Sequence, residues 1–221
     1  MKELDPATFG TDLDALIDVY AAAMNVSDMQ LPGRRAIMEA HAVNPAFRAI
    51  AVTAPPGDGR GSEGRGSQGP GSDGRGSEGR GCQGRGSEGG AIIAFGYGFH
   101  GDSGQWWHDL VRWAVFARSG PAIATAWLDD SFEVAELHVR PEYQQRGIGR
   151  RLLLRLTDGL TERTAVLSTM DADSPARRLY RSLGFSDLLT NYRFAAATDA
   201  YAVMGAALPL LNDRPPSPRY W

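Results

Sequence analysis

Residues 137–151 read Leu137-His138-Val139-Arg140-Pro141-Glu142-Tyr143-Gln144-Gln145-Arg146-Gly147-Ile148-Gly149-Arg150-Arg151, and their types suit an anion. Gly147 and Gly149 stand where an apolar stretch gives way to Ile148, Leu152, Leu156 and Leu160, an i, i+4 row with arginines opposite. Glycines at a strand-to-helix junction let a ligand approach the backbone and leave first-turn N–H groups free. Those groups and the helix dipole favour negative charge, and Arg146, Arg150 and Arg151 add formal positive charge. The implied chemistry is a pyrophosphate cradle; the alternative is a tight turn with a solvated arginine face. Proton chemistry has candidates nearby. Glu133, Glu136 and His138 share the apolar stretch 132–139, where strand alternation places Glu136 and His138 on one face and Glu133 on the other, a relation a bulge would change. Tyr180 lies on a helical stripe with Ala176, Leu179 and Leu183, and a buried phenol needs a hydrogen-bond partner.

Two motifs in a fixed order sharpen this. Gln144-Gln145-Arg146-Gly147-Ile148-Gly149 follows the pattern Gln/Arg-x-x-Gly-x-Gly/Ala, and Leu179-Tyr180-Arg181-Ser182-Leu183-Gly184-Phe185 follows Leu-Tyr-x-x-x-Gly-Phe, with a strand between them. In both, the chain resembles the GNAT superfamily of acyl-CoA-dependent N-acetyltransferases, most closely over 132–194 and in element order elsewhere. The resemblance implies an α/β fold: a central mixed β-sheet splayed between its fourth and fifth strands, with helices on both faces. It implies acetyl-CoA as co-substrate, no metal, and pantetheine lying between the strand of Leu137, His138 and Val139 and the strand 166–170. Gln144, Gln145, Arg146, Gly147, Ile148, Gly149 and Arg150 would then hold the pyrophosphate, with Ala176 also at the cofactor. Tyr180 matches the family's general acid toward the departing thiolate. The family often has Asn seven residues before that tyrosine; Asp173 stands here, and Ser174 either substitutes or caps the helix before Pro175.

The implied reaction needs a free amine. An alkylammonium of pKa ~10.4 is deprotonated in about one part in a few thousand at neutral pH, so a base or a desolvating pocket must act. Glu133 matches, by spacing to the glycine loop, a glutamate used by relatives with protein substrates. Glu136 lies nearer the splay and is the choice here; a purely structural carboxylate is the alternative at either position.

These groups need a scaffold, and hydrophobic periodicity supplies it. Helices are expected over 12–24, 32–42, 104–116, 121–128, 149–160 and 175–183. Strands are expected over 47–53, 91–99, 132–139, 164–170, 185–194 and 201–209. Residues 1–8 make a poor strand, so the first strand of the family is either very short here or the start codon is placed late. An aromatic-rich helical insertion occupies about 101–131. Within it Trp106 and Trp113, at i, i+7, read as core, whereas Trp107 and His108 point elsewhere and are candidates for binding the acceptor. His41, His100 and His108 have no ligand spacing with one another, so no metal is expected.

The 221 residues suit a single domain spanning 1–221, and a net charge of −3 argues against a protein built to neutralise nucleic acid. One cysteine excludes a disulfide framework and a cysteine-based zinc site. The start lacks a secretory pattern and no apolar run spans a bilayer, which implies a cytoplasmic protein without membrane contact. Residues 55–90 hold 15 of the 27 glycines, five arginines and five acids, with no aromatic or aliphatic side chain. Such composition predicts a disordered insertion. Gly59-Arg60-Gly61-Ser62-Glu63-Gly64 matches a dinucleotide fingerprint in letters only, since no helix starts there. The repeat lacks the excess charge or aromatics of an RNA-binding tail. Three functions stay open: acetylation of a small-molecule amine, favoured because an aromatic insertion covers the acceptor side; acetylation of a protein N-terminus or lysine; or a catalytically silent CoA-binding module. The two last strands could pair between subunits and make a homodimer.

Overall fold

The computed structural model describes residues 1–54, 90–195 and 199–211, so the expected Gly-rich insertion lies, but for Gly90, outside the described residues. Seven strands form one sheet: β1 (Lys2–Leu4), β2 (Arg48–Thr53), β3 (Ile92–His100), β4 (Ser131–Val139), β5 (Thr164–Met170), β6 (Ser186–Tyr192) and β7 (Tyr201–Ala207). The spatial order is β1-β2-β3-β4-β5-β7-β6. Only β4 and β5 run parallel; the other neighbours are antiparallel. β1 exists and is short. The last two strands pair with each other within the chain, leaving β6 at the edge.

Seven helices cover the two faces: α1 (Pro6–Thr11), α2 (Leu13–Met24), α3 (Leu31–His41), α4 (Trp106–Ser119), α5 (Pro121–Leu128), α6 (Ile148–Thr157) and α7 (Pro175–Arg181). On one face α6 and α7 bury Ile148, Leu152, Leu153, Leu156 and Tyr180 against Ala94, Phe132, Val134, Ala165, Leu167 and Met204. Each such aliphatic side chain contributes about 1.5–3 kcal/mol by leaving water. The opposite face is shared. Leu13, Leu16, Ile17 and Tyr20 of α2 pack on Phe95, Tyr97 and Phe99 of β3, while Val111, Ala114 and Val115 of α4 and Leu128 of α5 pack on Val166, Leu189 and Val203.

Local chemistry sets the helix boundaries. Asp5 caps α1 by accepting from the Thr8 N–H at 2.7 Å, with Pro6 in the first turn, a short helix that the sequence reading took for poor strand. α6 starts at Gly147 in the left-handed region (φ 74) and stops at Asp158, short of the expected residue 160. Ser174 caps α7, accepting from Arg177 N–H at 3.1 Å, with Pro175 in the first turn.

Two expectations are corrected. Trp106 and Trp113 are not core: each is 67% exposed. The buried stripe of α4 is instead His108, Val111 and Val115 with Ala114, because its smaller side chains let the helix close on the sheet, and the indoles face outward. The relation of Glu133 to Glu136 is corrected too. Tyr97 lies opposite Glu136 and Phe99 opposite Glu133, so two steps on β3 match three on β4. A bulge at Ala135 absorbs the extra residue and brings Glu133, Glu136 and His138 onto one face, that of Phe95, Tyr97 and Phe99. Gly98 permits it: a Cβ there would collide with the Glu133 carbonyl oxygen and the Phe132 ring. Among the described residues no helix is long and apolar enough to cross a membrane.

Candidate active site

Pairing between β4 and β5 covers only Ser131–Thr164, Phe132–Ala165 and Glu133–Val166. Beyond Glu133 the strands part. β5 keeps its other neighbour, β7, from Thr164 to Met170, and β4 keeps β3 to Val139. Two strand edges therefore face each other across a gap, with backbone groups there unused by sheet pairing.

On the α6–α7 face the gap opens into a cavity of about 380 Å³. Leu137 and Val139 line it from β4; Gln144, Gln145, Gly147, Ile148, Gly149 and Arg150 from the turn and α6; Ser174, Ala176 and Tyr180 from α7. Tyr143, Pro175 and Leu179, which the sequence reading left out, complete it. Gln145 and Gly147 both adopt positive φ (59 and 74), which turns the chain sharply at the start of α6, and no side chain caps that helix. First-turn N–H groups are thus left to a ligand, as an anion requires. Arg150 lines the cavity with its Nε buried and without a partner, while its Nη1 donates to Ser182 Oγ at 2.9 Å. A diphosphate fits this donor set. Gln144 spends its amide on the Val139 carbonyl at 3.0 Å, fixing the turn. Arg146 instead donates to the Glu142 carbonyl at 2.8 Å and lies over the Tyr143 ring, outside the cavity lining. Asp173 also stays outside, accepting from Arg178 at 2.8 Å, whereas Ser174 both caps α7 and lines the cavity. Arg177 fixes α7 by pairing with Asp171 and, at 2.9 Å, with Asp187.

Across the sheet lies a buried polar cluster. Glu136 accepts from Arg34 Nη1 at 2.6 Å with one oxygen and shares a short hydrogen bond with His138 Nε2 through the other. The Arg34 guanidinium lies 4.7 Å from the Tyr20 ring centre, and the same ring meets His138 edge-on. His138 therefore points away from the cavity that its neighbours Leu137 and Val139 line. Burial pushes the Glu136 carboxyl up, but the hydrogen bond and charge of His138, then Arg34 and His41, outweigh it and hold the group below its ordinary value. Glu133 differs. It is 5% exposed, its Oε2 has no hydrogen-bond partner, and burial first, then the Glu136 charge, lift it from 4.5 to about 8. Burial and the same charge push the Tyr180 phenol up to about 12. Behind Glu136, its cross-strand partner Tyr97 is wholly buried and bonds through its hydroxyl to His41 Nδ1 at 3.1 Å.

The sequence reading missed Arg34, Tyr20, His41 and Tyr97. Arg34 meets Glu136 across 102 positions, a distance over which no local pattern speaks. Trp107 donates from its indole N–H to Ser168 Oγ at 3.2 Å, placing it beside β5 beyond the last rung to β4. His108 is directed elsewhere, with Nε2 at 2.9 Å from the Leu128 carbonyl oxygen.

Comparison with known proteins agrees with this architecture. The acetyltransferase (GNAT) domain profile matches residues 90–187. A GCN5-like protein acetyltransferase of Mycobacterium tuberculosis is 41% identical over 123 residues, covering 54% of this chain and 60% of the relative's length. The ribosomal protein bS18 alanine N-acetyltransferase of Salmonella typhimurium is 34% identical over 119 residues, or 51% of this chain and 78% of the relative. In fold, the crystal structure of a protein assigned to the GNAT family from Desulfovibrio desulfuricans superposes with a TM-score of 0.53 at 12% identity, over 89% of this chain and 92% of that one. With a splayed sheet, an uncapped glycine turn and this similarity in hand, the chain belongs to the GNAT acetyltransferase family.

Proposed function

We propose that the protein transfers an acetyl group from acetyl-CoA to a primary amine, with a small molecule as the favoured acceptor. The observation that carries this is the break in pairing after Glu133 and Val166. It lies between an anion-ready turn with Tyr180 on one face and two buried carboxyl groups on the other. In the reaction the amine nitrogen attacks the thioester carbonyl; a C–N bond forms, the C–S bond breaks, and the amine gives up one proton while the thiolate gains one. Main-chain N–H groups from Gln145 to Arg150 hold the diphosphate, and the free edge at Leu137 and Val139 aligns the pantetheine arm.

Glu133 takes the proton. Lifting it to about 8 narrows the gap to an alkylammonium from roughly 6 pH units to roughly 2.5. Glu136, favoured by the sequence reading, supplies fixed negative charge instead: a carboxyl held low by Arg34 and His138 is a poor proton acceptor. Tyr180 serves the thiolate. A phenol at about 12 stays protonated, yet full transfer to an alkyl thiolate of pKa ~8.5 is uphill by about 5 kcal/mol, so Tyr180 stabilises the leaving sulfur chiefly as a hydrogen-bond donor. Trp107 walls the acceptor side next to β5.

A peptide N-terminus is the second reading, favoured by the relative named for acetylating a ribosomal-protein alanine. Thiol release from acetyl-CoA, measured with a panel of small primary amines and with peptides beginning in alanine, separates the two. Tyr180→Phe should lower turnover about a hundredfold while coenzyme A affinity stays as in wild type. Coenzyme A binding without thiol release for any amine would point to a silent binding module.

A further inference from the structure

A second cavity lies apart from the cleft above. It measures about 500 Å³, lies where α4 and α5 meet the end of β3, and shares no lining residue with the cleft. Its wall carries His108, Asp102, Asp109, Arg112, Asp129 and the outward-facing indole of Trp113. The polar groups there have an unusual balance. Arg112 is committed, donating from Nε at 3.0 Å and Nη2 at 2.8 Å to Asp129 Oδ1. Two backbone donors are committed as well: Ser103 N–H to Asp102 at 2.7 Å and Gly104 N–H to Asp109 at 2.9 Å.

Acceptors predominate among the rest. His108 is 4% exposed, and its Nε2 faces a carbonyl oxygen at 2.9 Å. A carbonyl only accepts, so Nε2 carries the hydrogen, and in the neutral ring Nδ1 is a bare acceptor. That Nδ1 is buried with no hydrogen-bond partner and lies on the Asp109 side, 3.5 Å from Asp109 Oδ1. Two acceptors facing each other at that distance leave a gap in pairing that a donor from outside would close. Asp102 and Asp109 bring two carboxylates to the same wall. The Trp113 indole at 67% exposure adds an unused π face.

A concavity of this size offering carboxylates, an imidazole lone pair and an indole face selects a ligand that brings N–H groups and positive charge. We infer that the α4–α5 insertion holds a second binding site, separate from the acetyl-transfer cleft, for an organic ammonium ion carrying an apolar or aromatic body. The ammonium donates to Asp109 and His108 Nδ1, and the body lies along Trp113.

The probe is 2-phenylethylammonium, titrated into the full chain without acetyl-CoA, so the result does not depend on the acetyl-transfer reading. Nitrogen-15 NMR of the indole N–H groups locates the ligand and calorimetry gives affinities. The Trp113 signal should shift and saturate with a Kd of about 1 mM or tighter. Asp109→Asn, which keeps an oxygen for the Gly104 N–H, and Trp113→Leu should still fold and unfold cooperatively, yet each should weaken binding about tenfold, the loss expected for one charge-assisted or cation–π contact. Three results would overturn the inference: a Trp113 signal that stays still at about 10 mM ligand, variants that bind as wild type does, or shifts confined to the Trp107 side of the sheet.

Discussion

Glu133→Gln tests the electrostatics most searchingly, because it keeps shape while removing one titration. The carboxyl is 5% exposed with an unpaired Oε2 and sits at about 8 in the folded chain against an ordinary 4.5. A carboxyl raised on folding binds its proton more tightly when folded. Its stabilising share is therefore complete below about pH 4.5 and is lost as pH rises through about 8. At about 1.4 kcal/mol per pH unit, the unfolded chain's readier loss of this proton lowers wild-type stability on the order of 3 kcal/mol at pH 7 and 5 kcal/mol at pH 9, relative to acid. Gln cannot ionise. The variant should match wild type within about 1 kcal/mol at pH 5 and become progressively more stable than it toward pH 9. Chemical denaturation of both proteins across pH 5–9 reads the difference directly, and common contributions from other groups cancel. In acetyl transfer, the wild-type limb rising near pH 8 should vanish in the variant along with most of the rate. Parallel stability curves from pH 5 to 9 would show that Glu133 ionises freely and would refute both its raised pKa and its assignment as proton acceptor.

Three further outcomes follow from the same structure. Gly98→Ala places a methyl group against the Glu133 carbonyl and the Phe132 ring. It should cost about 1–3 kcal/mol in thermal unfolding, with a loss of acetyl transfer larger than an equal destabilisation elsewhere produces. Arg34→Met leaves Glu136 buried with only His138, so stability near neutral pH should fall by about 1–3 kcal/mol, less than for a fully buried pair because Arg34 is partly exposed; unchanged denaturation would show the ion pair to be idle. β2 and β3 stay paired to their ends, with Ala54 N–H donating to the Ala91 carbonyl at 2.8 Å. Replacing residues 56–89 by a short turn should therefore preserve unfolding temperature and activity, whereas an insoluble product would assign that segment a structural role.

Local patterns carried much of this fold. The glycine turn and the Leu-Tyr-x-x-x-Gly-Phe helix end were legible because each depends on neighbours within a few residues, whereas the position of the splay came only with the family resemblance those motifs carry. The capped start of α1 was equally legible in Asp5-Pro6 and was overlooked. What escaped depends on pairing across the chain. The bulge at Ala135 answers to Gly98 on another strand, so strand parity alone put Glu133 on the wrong face. In α4 the i, i+7 spacing of Trp106 and Trp113 suggested that they formed the buried stripe. Closeness to the sheet decided for Val111, Ala114 and Val115 instead. The charge that holds Glu136 comes from Arg34, in a helix whose own sequence announces nothing about a strand 102 positions away.

The claim beneath all of this is that backbone N–H groups at the turn before α6 grip a diphosphate and lay the attached arm into the gap between β4 and β5. Amide nitrogen-15 NMR during a coenzyme A titration tests it residue by residue. The largest shifts should fall on Gln145 to Arg150, followed by Leu137, Val139 and Tyr180, with saturation at one equivalent. Shifts absent from that turn, or concentrated elsewhere, would contradict it.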